Sequence, residues 1–130
     1  MHRLDFGLDL EFGDSVVGVT WRVPGQSLDI RPRSLAAVLL DPVVMDATEL
    51  VPWRDLVGHE VSEFIERVPD SGWGSGGQPC RWSVAIEFRG GSTIWLAAAN
   101  YLEPEGDLLP CGDELIVIGD ADVAARVGLA

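Results

Sequence analysis

Residues 81–99, RWSVAIEFRGGSTIWLAAA, decide how the rest of the chain can fold. From 81 to 88 the side chains of Trp82, Val84, Ile86 and Phe88 fall on one face, and those of Arg81, Ser83, Ala85 and Glu87 on the other. Strict period two is the pattern of a strand half-buried in a sheet. Arg89, Gly90, Gly91 and Ser92 supply a tight reversal, because glycine reaches positive φ without a Cβ clash. The stretch is therefore a β-hairpin. Its return strand is apolar on both faces, with Ile94 and Leu96 on one and Trp95 and Ala97 on the other. Such a strand needs cover from two sides, which predicts a central place in its sheet.

A second hairpin mirrors the first. Leu8, Leu10 and Phe12 alternate with Asp9 and Glu11, residues 13–15 (GDS) turn the chain, and Val17, Val19, Trp21 and Val23 line one face of the return. Residues 8–12 (LDLEF) match 84–88 (VAIEF) in pattern and in their closing Glu and Phe. A degenerate repeat, spanning about 5–23 and 81–99, and two independent alternating strands both account for this match.

Around the hairpins the sequence places shorter pieces. Residues 1–4 lead into the first hairpin as a strand, and 27–30 form an extended edge piece before Pro32. Residues 34–40 (SLAAVLL) fit a helical turn or a buried strand. Thr48 is placed to cap a short helix through Leu56 that ends at Gly58, with Trp53 facing the core. The 59–68 stretch has helical spacing at Val61, Phe64, Ile65 and Val68, yet its position before a hairpin favours a strand. Residues 69–79 (PDSGWGSGGQP) and 100–112 read as loops, and 114–118 (ELIVI) as a strand apolar on both faces. Asp120 caps a last helix over 121–127, stopped by Gly128 and docked through Val123 and Val127. The fold class is thus mainly β, with α+β as the other assignment. One domain over 1–130 holds two β-hairpins in a sandwich or strongly curved sheet, a short helix mid-chain and a short C-terminal helix.

Twenty-one acidic residues face nine basic ones, all arginine, for a formal net charge of −12. A surface so acidic repels phosphate, which excludes nucleic acid and anionic membrane as expected ligands. It suits either solubility alone or a basic protein partner. No apolar run reaches the roughly 18 residues of a membrane span. The N-terminal residues alternate instead of forming a signal core, so the expected location is cytoplasmic. In that setting Cys80 and Cys111 are expected as reduced thiols.

Motifs that carry chemistry fail on context. Gly72, Gly74 and Gly77 fit GxGxxG, but a strand follows where a phosphate-binding helix would have to begin. Ser75 lacks the preceding glycine of a nucleophile elbow, since residue 73 is Trp. A pairing of His59 with Cys80 or Cys111 lacks the electropositive setting that favours thiolate. The acids lack EF-hand spacing, so no metal and no cofactor is expected. What remains are loop residues suited to contact: Trp73, Glu103, Glu105, Asp107 and Asp113.

Residues 53–58 (WRDLVG), 86–91 (IEFRGG) and 113–117 (DELIV), in that order, resemble small bacterial proteins without assigned activity, some of them immunity factors encoded near toxin genes. The resemblance spans the C-terminal two thirds and carries no catalytic or ligand residue. It implies a non-enzymatic role in which an acidic surface covers a partner's active site. The sequence reading is accordingly an acidic protein-interaction domain, monomeric or homodimeric, of inhibitory or immunity type. The competing reading is a small-ligand binder or a hydrolase using carboxylates or a Cys/His pair. If Trp73 is displayed for contact, Trp73→Ala lowers affinity for the partner and leaves the thermal midpoint within about 1 °C. A clear fall in the midpoint would instead make Trp73 a core anchor.

Overall fold

The computed structural model describes residues 1–4, 7–22, 27–37, 44–67, 81–104 and 106–130, apart from the side chains of Arg22 and Arg67. Nine strands and one helix follow one another along these residues: β1 (His2–Leu4), β2 (Gly7–Phe12), β3 (Ser15–Arg22), β4 (Ser27–Arg31), β5 (Val61–Arg67), β6 (Ser83–Phe88), β7 (Thr93–Leu102), β8 (Asp107–Pro110), β9 (Glu114–Ile118) and α1 (Ala121–Arg126). They build two antiparallel sheets. The larger runs β1-β9-β7-β6-β5 with β8 added beside β7, and the smaller runs β2-β3-β4.

The expected hairpin is present, and its return strand is central. β7 pairs with β6 from Thr93 to Ala97 and with β9 from Trp95 to Ala99. Ile94, Leu96 and Ala98 turn to one face and are fully buried with Val84, Ile86, Leu115 and Val117. That face packs on the smaller sheet through Val19 and Leu28, supported by Leu8, Leu10, Val17, Trp21 and Ile30. The pattern of the first hairpin thus predicts its inward face, except that Phe12 is 37% exposed. A backbone bond from Leu28 N to Arg81 O, 2.6 Å long, joins the two sheets.

On the opposite face of the large sheet, Ala97 and Ala99 are fully buried with Ile116, Ile118 and Ala124 of α1. Alanines at 97 and 99 leave room for the helix to lie close to the sheet. Asp120 caps that helix as expected, its Oδ1 accepting from the amides of Asp122 and Val123 at 2.9 and 3.0 Å. Gly128, with φ +80°, ends it. Six residues are too few for a helix to stand alone, so α1 depends on Ala124, Val127 and Leu129 in this second cluster.

Several sequence expectations are corrected. The 100–112 segment is not a loop: β7 continues to Leu102 and pairs with β8. Trp82 precedes the first residue of β6, so alternation does not bind it, and it joins the α1-side cluster instead of facing with Val84. The mid-chain helix is a single 3-10 turn, Trp53–Asp55, with Pro52 at its N-cap and no side-chain cap. Thr48 instead donates its amide and hydroxyl to Asp46 Oδ1. Trp53 is buried as expected. The 59–68 stretch contains strand β5, with a bulge between Val61 and Glu63. Residues 27–31 form the edge strand β4, and Leu35–Ala37 of the ambiguous run is a 3-10 turn.

Two features fix how β8 passes into β9. Ala99 pairs with both Pro110 and Glu114, so β8 and β9 flank β7 on opposite sides and the chain crosses it between them. Gly112 makes the crossing: a Cβ there would overlap the backbone of Ala99 and Asn100. Just before it, Cys111 has φ 62°, a left-handed conformation that costs a non-glycine residue roughly 1–2 kcal/mol. The Cys111 sulfur is in a disulfide, correcting the expectation of free thiols. The chain has one other cysteine, Cys80, outside the described residues.

Two measurements check this. Gly112→Ala should lower stability by about 3 kcal/mol in denaturant unfolding, since the added Cβ would overlap the backbone of Ala99 and Asn100 as well as the Asn100 side chain. A disulfide is typically worth about 2–4 kcal/mol, so reduction of the Cys111 bridge should lower the thermal midpoint by roughly 10 °C. An unchanged midpoint under dithiol would show that the bridge does not constrain the unfolded chain.

Candidate functional site

The acidic positions singled out in the sequence gather partly around β7 and β8. Leu102 pairs with Asp107 and Asn100 with Leu109, and residues opposite one another in a ladder share a face. Asp107, Leu102 and Leu109 are exposed there. Asp113 joins them, its Oδ1 accepting a 2.6 Å bond from Asn100 Nδ2. Two exposed leucines are thereby framed by the carboxylates of Asp107 and Asp113.

Glu103 belongs to a different group. Arg3 on β1 donates from Nε and Nη2 to Glu114 Oε1 at 3.1 and 2.7 Å, and its Nη1 lies 3.8 Å from Glu103. Its guanidinium sits 5.1 Å from the Tyr101 ring centroid, while Glu114 Oε2 accepts from the Tyr101 amide. The bond to Glu114 raises the Arg3 pKa above the ordinary arginine value. Arg3 thus ties β1 to the β7–β9 surface and occupies Glu103 and Glu114. Trp73 and Glu105 lie outside the described residues.

A concave feature emerges elsewhere. Glu11, Phe12 and Gly13 of the β2–β3 turn meet Gly58, His59, Glu60 and Val61 across an open groove of about 540 Å³. It brings a histidine, two carboxylates and the half-exposed Phe12 to one place. Glu60 Oε2 lies 3.0 Å from Arg89 Nη1, and Glu11 makes no ion pair among the described residues. The sequence contained these residues only as a turn and a strand lead-in, 47 positions apart at Glu11 and Gly58, so no local pattern could assemble them.

A disulfide sulfur is no thiolate, so Cys111 cannot serve as the nucleophile of a Cys/His pair. Among the described residues no group of three or more His, Cys, Asp or Glu side chains is arranged to hold a metal ion. Asp46 lies in another exposed turn, where the Thr48 amide and then its hydroxyl hold the carboxyl below its usual range. Among the described residues no helix is long and apolar enough to cross a membrane. Comparisons with protein families, curated proteins and solved structures returned no match.

Proposed function

We propose that this chain is a non-enzymatic, acidic protein-interaction domain, of inhibitory or immunity type, whose partner is a basic protein. One observation supports this reading above others: five of the seven arginines whose side chains are described are already engaged, Arg33 and Arg126 being the others. Arg3, Arg31, Arg54, Arg81 and Arg89 each lie within 4.0 Å of a carboxylate. Glu11, Asp14, Glu49, Glu63 and Asp107 are exposed and make no ion pair among the described residues. The excess negative charge is thus left on carboxylates without a neighbouring cation, and a cationic surface is what complements it.

Contact is assigned first to the β7–β8 hairpin, where Leu102 and Leu109 offer apolar area and Asp107 and Asp113 set its sign. Exposed leucines framed by charge resemble the centre and rim of a protein interface. Trp73 and Glu105 extend the same assignment by sequence position alone. The bonded state of Cys111 favours an oxidising compartment over the cytoplasm as the place of action.

The test is affinity capture from native extract with the wild-type chain and with an Asp107→Asn, Asp113→Asn variant, at about 50 and 500 mM salt. A protein held at low salt, released at high salt and at least fivefold depleted with the variant supports the reading. Capture equal for both chains, or none, refutes it.

A further inference from the structure

Exposed apolar residues recur through the 44–57 segment, outside that hairpin. Val44 is 78% exposed, Met45 69%, Val51 56% and Val57 59%, while Trp53 and Leu56 between them point into the core. Consecutive turns hold this segment in shape: Arg54 N donates to Leu50 O, and Val57 N to Trp53 O, both at 3.0 Å. The apolar exposure is therefore fixed by two buried anchors, and it leads directly into the groove at Gly58.

The charge around it is mainly negative: Asp55 is paired with Arg54 and Glu60 with Arg89, which leaves Asp46, Glu49 and Glu11 without an ion pair among the described residues. Asp46, Glu49, Asp55 and Glu60 border the segment, and Glu11 faces it across the groove. The single arginine of the run, Arg54, lies 3.8 Å from Asp55. Exposed apolar side chains on a segment held by buried anchors offer a partner fixed contact points. A rim of carboxylates rejects acidic partners and attracts basic ones.

We propose that the 44–61 segment and the groove beside it dock a basic amphipathic segment of the partner. Its apolar side lies on Val51 and Val57, and one arginine or lysine side chain enters the groove at Glu11, the groove carboxylate without an ion pair among the described residues. Phe12 and Val61 cover the aliphatic stem of that side chain, as apolar surface does for long cationic residues elsewhere. Gly13 and Gly58 leave the entrance open, since a Cβ at either would meet nothing within 4 Å. This inference rests on the reading of the chain as a binder of a basic protein, and it names a second contact surface for it.

The test uses the full chain and two peptides, acetyl-Leu-Arg-Leu-amide and its citrulline counterpart, which keeps the shape and removes the charge. Amide shifts at Gly13, Val57, Gly58 and His59 are expected with the arginine peptide. Binding should be at least fivefold weaker with citrulline, and at least threefold weaker in Glu11→Gln and in Val57→Ser. Equal binding of the two peptides, or shifts confined to other residues, overturns the docking site. So does concentration-dependent dimerisation abolished by Val57→Ser, which would give the surface to a second copy of the chain. A partner whose capture needs Asp107 and Asp113 but is untouched by Glu11→Gln and Val57→Ser refutes this site alone. Absence of any captured partner refutes the parent reading.

Discussion

Strand β7 bonds on both of its edges and is buried on both of its faces, and that double demand organises the molecule. Three strands share its backbone: β6 and β8 in succession along one edge, β9 along the other. The smaller sheet covers one face, and α1 with Trp82 covers the other. Burying Ile94 and Leu96 is worth roughly 1.5–3 kcal/mol each and requires the smaller sheet, while burying Ala97 and Ala99 on the other face requires α1. Gly112 follows from the same demand. To serve opposite edges of one strand, the chain between β8 and β9 has to cross it, and it crosses in contact with backbone.

The parts legible from sequence were those whose pattern is local. The 81–99 hairpin, its central return strand, the capped C-terminal helix and the inward face of the first hairpin all follow from alternation, glycine turns and an Asp cap. Strand β8 was not legible, because Pro104, Gly106, Asp107 and Pro110 give its surroundings the composition of a loop. Only the need of β7 for a partner beyond Ala97 calls for it. The segment pairs because β7 extends to Leu102, and Pro110 sits at the strand's end, where a missing amide is tolerated.

The candidate surfaces were harder to read than the fold. Asp107 and Asp113 were singled out for charge and loop context, and the ladder that places them beside Leu102 and Leu109 is a tertiary fact. Glu103, picked on the same grounds, serves the Arg3 network that secures β1. The groove joins two turns from different sheets, and the 44–57 exposures depend on which way Trp53 and Leu56 point. The cysteines show another kind of error. A prior drawn from compartment spoke for free thiols, whereas Cys111 is bonded at a residue held in a left-handed conformation.

The pairing of β1 with β9 carries a consequence for synthesis. Arg3 meets Glu114 across 111 positions of sequence, whereas both hairpins close within a few residues. As the chain leaves the ribosome, β1 is made well before its partner β9 and has to wait for the edge it covers, while both hairpins can close as soon as they are made. Contacts of such long range slow folding. The edge of the large sheet beyond β9 is therefore closed by a segment made more than 100 residues earlier.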